Sequence, residues 1–314
     1  MTAPTDACGH GQAAAEALQA ADARRRQVRR VFWITLYLNA VVAVAKAGYG
    51  YVSGSLTLGT DSLHSILDAS SNVLALLGLR WAAAPADERH PYGRNKIEIL
   101  AALGIGALII VSLFELGSAA VHALLSARPP PRVGWAAFAI VFATMIVNFF
   151  VSRYEHRKAH ELGSALLHAD ARHTQSDLYA SAAVVASFVA VRAGLAWGDG
   201  AATLVVVALV ARVAWEVFRE NVPVLIDAAI LDPAEVASVA LSVAGVTNVH
   251  RVRSRGVRSA VELDLHMVVP ADTTTGDAHC LAEDVERALK VKFPEVSDVI
   301  IHIEPDAKRQ ANPT

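Results

Sequence analysis

The stretch DSLHSILDAS, residues 61–70, places three ionisable side chains in a segment that is otherwise apolar enough to cross a membrane. Asp61, His64 and Asp68 would each be costly in contact with lipid, and ionisable residues inside a membrane span usually mark a functional site. His64 and Asp68 are four residues apart, a spacing that puts both side chains on one face of a helix. The stretch therefore predicts a membrane helix with a polar face directed away from lipid.

The segment around this stretch is one of several apolar runs. A helix needs about 20 apolar residues to cross a bilayer, and 54% of the 314 residues are hydrophobic, which is high for a soluble domain. The sequence predicts a polytopic α-helical membrane protein with six transmembrane helices. They are expected at residues 31–52, 56–81, 97–125, 133–156, 167–193 and 199–220.

Lysine and arginine are concentrated on one side of these predicted spans, beginning with the arginine-rich segment 24–30. Basic loops stay in the cytoplasm, so an even number of spans predicts a multi-pass protein of the cell membrane with both termini in the cytoplasm. We expect a mobile N-terminal tail (1–27), a membrane domain (28–225), a cytoplasmic domain (226–306) and a short tail (307–314). The net charge of −2 gives no indication of a nucleic-acid partner.

The cytoplasmic domain begins where the long apolar runs end. AVELDLHMVV (260–269) alternates apolar and polar residues as a half-buried strand does. The pattern predicts a small α+β domain with helices on one face of a sheet. Helices are expected at 232–244 and 275–293, and strands at 246–254, 259–269 and 297–304.

A second histidine–aspartate pair lies in the fifth predicted span, where HTQSD carries His173 and Asp177. Two imidazoles and two carboxylates from neighbouring helices would form a tetrahedral set that suits Zn²⁺. Polar residues in a span more often form helix–helix hydrogen bonds, which is our interpretation of single residues such as Asn72. Asp61, nearer the outer end, is expected to orient the helix or line the mouth of the site.

The chemistry of these ligands also indicates a mode of turnover. Metal binding requires deprotonated histidine and aspartate, so binding a cation releases protons. Two other functions remain open at this point. An intramembrane metallohydrolase would use a metal-activated water, but catalytic zinc usually has three protein ligands and one open position. A metal sensor without transport would need no site in the middle of the membrane, so the paired histidine–aspartate spans argue against it.

Four motifs stand out along the chain: SLTLGTDSLHSILDASSN (55–72), PADERHPYGRNKIE (85–98), LHADARHTQSD (167–177) and VIIHIEPD (299–306). Together they resemble the cation diffusion facilitator family of metal transporters, from about residue 28 to 306. The resemblance implies a homodimeric exporter, not an enzyme, that exchanges cytoplasmic metal for protons and has no organic cofactor. It also implies a ferredoxin-like αββαβ tail similar to copper chaperones. In this family, histidine–aspartate pairs on both spans are typical of zinc, with Cd²⁺, Co²⁺, Fe²⁺ or Mn²⁺ as alternative cargo.

Further metal sites follow from this resemblance. Asp87 and His90 match part of a loop site found in one branch of the family, although Arg94 stands where those relatives have another histidine. The family's cytoplasmic cluster, a regulatory Zn²⁺ site in this interpretation, is implied at His250, His266, His279, His302 and Glu304.

Two charges flank the boundary between the membrane domain and the tail. We expect Lys96 and Asp227 to form an ion pair at a hinge; solvated, independent charges are the alternative.

Overall fold

The computed structural model describes residues 10–53, 70–125, 135–192 and 198–306, so Asp61, His64 and Asp68 lie outside the described residues. The chain divides into two compact units, one ending at Asn221 and the other beginning at Val222. The helices of the first unit are α1 (His10–Ser53), α2 (70–82), α3 (Lys96–Leu125), α4 (Trp135–Leu162), α5 (Ala165–Arg192) and α6 (Gly198–Leu225), the last of which runs into the second unit.

The first unit buries one apolar surface and exposes another. Phe32, Ile105 and Leu166 are fully buried between helices, whereas Phe114 and Phe150 are 78% and 64% exposed. Exposed aromatic surface on this scale is typical of contact with lipid or a partner. Among the described residues, Asp22–Ala45 and Lys96–Ser118 are long and apolar enough to cross a bilayer by length and composition. The count of six spans stays a prediction.

Helix α1 begins at His10, well inside the segment 1–27 for which we expected a mobile tail. The segment is rich in alanine, glutamine and arginine, which are strong helix formers. Arg24 donates hydrogen bonds to the carbonyl oxygens of Leu162 and Gly163, and Arg25 donates to Asn95 Oδ1 at 3.0 Å. Residues 10–27 therefore continue the first helix, and the mobility expected of the segment 1–27 stays a prediction.

A tight helical hairpin joins α4 to α5. Gly163 has φ 56°, a left-handed conformation that glycine adopts without steric cost, and the chain reverses over Gly163 and Ser164. The Ser164 hydroxyl accepts a hydrogen bond from the amide of Leu167 at 3.3 Å and donates one to Glu98 at 2.7 Å. The hairpin places polar residues of α4 directly beside polar residues of α5.

The second unit has the predicted order αββαβ, which confirms the α+β interpretation. Its elements are α7 (Pro233–Leu241), β1 (Asn248–Val257), β2 (Ala260–Val269), α8 (Thr275–Lys292) and β3 (Val296–Pro305). The strand order is β1-β2-β3, with β1 antiparallel and β3 parallel to β2. Both helices begin at side-chain caps: Asp232 accepts from the amide of Ala234, and Thr274 from that of Asp277.

Strand β2 has one buried and one open face. Its odd-numbered residues, such as Leu263 and Leu265, are about 1% exposed and pack with Val236 of α7 and Leu289 of α8. Its even-numbered residues, including His266, are half-buried on the opposite face. The alternation predicted from AVELDLHMVV is therefore confirmed, and it leaves a polar sheet face without a covering helix among the described residues.

A β-bulge interrupts the pairing of β1 with β2. His250 pairs with His266, and Arg253 pairs with Asp264. Between these two pairs β1 has three residue steps and β2 has two, so β1 contains one extra residue. Arg251 within the bulge has φ 51°. The extra residue brings both His250 and Arg253 to the open face, opposite β2 side chains that point the same way.

Candidate metal sites

The structure describes one half of the predicted membrane site. His173 lies on α5 and is 4% exposed, and Asp177, one turn further along the same helix, is half-buried. The Ser176 hydroxyl donates to the carbonyl oxygen of His173 at 2.7 Å. Because His64 and Asp68 lie outside the described residues, the convergence of the four side chains stays a prediction.

A buried polar layer adjoins this half-site, and the sequence reasoning missed it. Asp170 of α5 and Glu155 of α4 are each 1% exposed. The Ser71 hydroxyl donates to Asp170 Oδ1 at 3.0 Å, and the Thr174 hydroxyl donates to Glu155 Oε2 at 3.0 Å. The sequence signal was present, since Asp170 is three residues before His173 and shares its helix face.

The loop between α2 and α3 forms a closed polar turn. Asp87 Oδ1 accepts hydrogen bonds from the amides of Arg89 (3.0 Å) and His90 (2.7 Å), and it lies 3.0 Å from His90 Nδ1. The Arg94 guanidinium donates to Asp87 Oδ2, and its Nε lies 3.3 Å from His90 Nδ1. The hydrogen bond from His90, with help from the Arg94 charge, lowers the pKa of Asp87. Arg94 thus engages both candidate ligands.

Replacing Arg94 by histidine is expected to convert this turn into a metal site. The change removes a competing cation and adds an imidazole beside Asp87 and His90, giving a three-ligand set that zinc accepts. Equilibrium dialysis should show one more Zn²⁺ bound per chain than in the unmodified protein. Arg94→Gln, which removes the cation without adding a ligand, is the control. An unchanged stoichiometry in Arg94→His would contradict the proposed ligand geometry.

Three histidines form a row across the open face of the cytoplasmic sheet. His250 pairs in register with His266, which pairs in register with His302, so each strand contributes one imidazole. Glu304, two residues beyond His302, reaches all three imidazoles. Its Oε1 lies 2.7 Å from His266 Nδ1 and 3.8 Å from His302 Nε2. Its Oε2 lies 3.3 Å from His250 Nε2. One ligand atom each from His250, His266 and Glu304 lies within 4.8 Å of the others.

The row is compact enough for one metal ion. The ring centroids of His250 and His266 are 5.3 Å apart, and those of His266 and His302 are 4.6 Å apart. His279 is not brought to this row within the chain. It lies on α8, which packs on the buried face of the sheet, its side chain is 73% exposed, and it contacts Glu283 at 3.4 Å.

The carboxylate of Glu304 should make the stability of this domain sensitive to acid. The hydrogen bond from His266 lowers the pKa of Glu304, with smaller contributions from the charges of His250 and His302. A lowered pKa stabilises the fold above the unfolded-state value of about 4.3, and the stabilisation is lost as pH falls through the folded-state value. Glu304→Gln is therefore expected to flatten the pH dependence of unfolding below about pH 5. Thermal unfolding of both proteins between neutral pH and pH 3 measures this; parallel curves would contradict it.

Lys96 and Asp227 lie in different compact units. Lys96 is the first residue of α3, and Asp227 follows α6 with φ 57°. Their pairing stays a prediction.

Two family models together cover most of the chain. The cation efflux transmembrane domain matches residues 32–226, and the cytoplasmic domain of cation efflux proteins matches residues 231–306. The boundary between the two matches lies just after α6, and the second match contains the whole αββαβ unit. The histidine row lies within that unit.

Individual proteins are similar to this chain over most of its length. An uncharacterized transporter of Methanocaldococcus jannaschii is 27% identical over 87% of this chain and 96% of its own length. Metal tolerance protein C1 of Arabidopsis thaliana is 32% identical over 88% of this chain, which spans 62% of that longer protein. The manganese efflux system protein MneS of Bacillus subtilis is 29% identical, with 87% of this chain and 93% of MneS covered. With both family domains matched in order along the chain, the protein belongs to the cation efflux family of membrane transporters, the cation diffusion facilitators.

Proposed function

We propose that this protein exports a divalent metal ion, Zn²⁺ before others, from the cytoplasm in exchange for protons. The observation that carries the proposal is the buried histidine–aspartate face of α5, where His173 is 4% exposed. An imidazole and a carboxylate one turn apart on such a helix are expensive to bury unless they bind a cation or protons. His64 and Asp68, with the same spacing, complete the proposed transport site.

The identity of the cargo follows from ligand chemistry. Two nitrogen and two oxygen ligands in tetrahedral geometry suit Zn²⁺, whereas Mn²⁺ prefers a larger set of oxygens. The relative MneS is named as a manganese efflux protein, so Mn²⁺ is the first competing cargo to test, with Cd²⁺, Co²⁺ and Fe²⁺ after it. Since the ligands bind metal only when deprotonated, cargo and protons compete for one site, and a site that faces each side in turn exchanges them.

The cytoplasmic unit is proposed to be a metal-responsive dimerisation domain. The matched cytoplasmic-domain family and the row of His250, His266 and Glu304 support this role. A metal ion held by residues of β1, β2 and β3 would fix the three strands of the sheet relative to each other. We propose that Zn²⁺ binding here stiffens a homodimer when cytoplasmic metal is high.

Flux measurements in proteoliposomes test the proposed transport. Uptake of Zn²⁺ should rise when the lumen is made more acidic than the outside, and luminal pH should rise as metal enters. Mn²⁺, Cd²⁺ and Co²⁺ in parallel assays rank the cargo. Zn²⁺ uptake that is indifferent to the pH gradient would defeat proton exchange, and an absence of uptake of any of these ions would defeat the transport proposal.

A further inference from the structure

Two carboxylates are buried side by side next to the proposed transport site. Glu155 of α4 and Asp170 of α5 face each other across the helical hairpin that turns at Gly163, close enough for their carboxyl groups to interact electrostatically. Each residue is 1% exposed. The family-derived assignment of metal ligands includes neither of them.

Each carboxylate uses only one of its oxygens. Glu155 Oε2 accepts from the Thr174 hydroxyl and Asp170 Oδ1 accepts from the Ser71 hydroxyl, both at 3.0 Å. Glu155 Oε1 and Asp170 Oδ2 are fully buried and find no hydrogen-bond donor among the residues that the structure describes. A buried carboxylate oxygen without a donor costs free energy, and two in one place cost more.

The nearby arginine does not neutralise the pair through its terminal nitrogens. The Arg172 guanidinium points to α6, where Nη1 lies 2.5 Å from Glu216 and Nη2 lies 2.7 Å from Glu220. The Lys158 ammonium, one turn beyond Glu155 on α4, pairs with Glu161 at 2.5 Å. Two carboxylates in a dry setting are stabilised by a cation bound between them or by a proton that they share, so a metal ion and a proton would compete for this pair.

The donor set selects the kind of cation. Two carboxylates with two hydroxyls nearby offer only oxygen, which is the preference of hard divalent ions and differs from the mixed nitrogen and oxygen ligands of the proposed transport site. Asp170 precedes His173 by three residues, which is about 4.5 Å along the helix axis. In the predicted topology α5 enters from the cytoplasm, so the pair lies on the cytoplasmic side of His173.

We propose that Glu155 and Asp170, with the hydroxyls of Ser71 and Thr174, form a second divalent-cation site through which metal passes on its way from the cytoplasm to His173 and Asp177. The role in passage rests on the proposed transport function, whereas the binding itself does not. The site binds metal more weakly than the transport site because it lacks imidazole. Weak binding suits a site that must release its ion onward to His173 and Asp177.

Binding of Mn²⁺ to the full-length protein in nanodiscs tests this site directly. Free Mn²⁺ is followed by its electron paramagnetic resonance signal, in a background in which His173→Ala, Asp177→Asn and His266→Ala remove the other proposed sites. We expect one Mn²⁺ bound per chain in this background. Glu155→Gln and Asp170→Asn should each weaken binding by about tenfold or more.

The control is Asp284→Asn, which removes an exposed carboxylate from α8 of the cytoplasmic unit and should leave binding unchanged. Glutamine and asparagine keep the shape of the buried pair and remove one charge, so the variants should fold, and thermal unfolding checks that they do. A background that binds no Mn²⁺, or Glu155→Gln and Asp170→Asn variants that bind it as the background does, would overturn the proposal. A change in the pH dependence of transport without a change in Mn²⁺ binding would assign the pair to protons and overturn it equally.

Transport kinetics separate this inference from the proposed function. In otherwise unmodified protein, Glu155→Gln is expected to raise the KM for metal severalfold while the rate at saturating metal changes less. If the unmodified protein transports no metal, the proposed function fails but the binding measurement still stands. If transport and its KM are normal in Glu155→Gln, the role in passage fails alone.

Discussion

Replacing Asp177 by alanine is expected to reduce metal flux by about 100-fold or more, because even outer partners of metal ligands contribute factors of 10–100 to binding. Asp177 lies one turn beyond His173 on the buried face of α5. The substitution removes an anionic ligand and half of the charge that we propose to neutralise the cation. The measurement is Zn²⁺ uptake into proteoliposomes under a fixed pH gradient.

The matched control for this variant is Glu161→Ala, which removes an exposed carboxylate from the neighbouring helix and should leave flux intact. Correct folding of Asp177→Ala can be checked independently, because metal binding by the cytoplasmic row should be unaffected. Flux near the unmodified level in Asp177→Ala would remove Asp177 from the site. Asp177→Asn separates charge from shape: the amide keeps one oxygen ligand, so an equally large loss would show that the charge is required.

Replacing His266 by alanine is expected to abolish the response of the cytoplasmic unit to metal. His266 is the central member of the row, in register with both His250 and His302 and 2.7 Å from Glu304. A ligand at 100 times its dissociation constant stabilises the state it binds by about 2.7 kcal/mol. Hydrogen exchange of β2 amides in the full-length protein, with and without Zn²⁺, should show protection that disappears in His266→Ala.

His279→Ala is the informative comparison. The side chain is 73% exposed on α8, away from the row, so the chain geometry predicts that metal-dependent protection of β2 survives its loss. If His279→Ala removed the protection as fully as His266→Ala does, the single-chain row would be an incomplete description of the site. Persistence of protection in His266→Ala would contradict the row as the binding site.

Much of the cytoplasmic unit could be predicted because apolar and polar residues alternate regularly along its strands. The alternation in AVELDLHMVV assigned His266 to the face opposite Leu265, and the structure has them so. The spacing of His302 and Glu304 on a strand likewise placed both on one face, where they approach His266. These predictions needed only local geometry, since a strand repeats every two residues.

Features that depend on contacts distant in sequence could not be predicted in this way. Glu155 lies at the inner end of the predicted fourth span, among the charges of the segment 152–172, and only the hairpin at Gly163 places it against Asp170. The helical start of α1 was missed because composition alone was used to infer a mobile tail. The helix propensity of residues 10–27, together with the hydrogen bonds from Arg24 to the carbonyl oxygens of Leu162 and Gly163, favours a helix there. From the sequence, Arg94 was recognised only as the replacement of a histidine ligand, and its hydrogen bond to Asp87 was not predicted.

The extra residue in β1 has a consequence for how this protein tolerates changes in chain length. With the hairpin end of β1 held in its present register, deleting Arg251 would leave two steps from His250 to Arg253, as there are from His266 to Asp264. The strands would then pair without a bulge, and His250 would stay on the open face. Straightening β1 with all its residues kept would instead place His250 opposite Met267, on the face toward α7 and α8. The histidine row thus tolerates the loss of one codon between positions 250 and 253, but not the loss of the bulge itself.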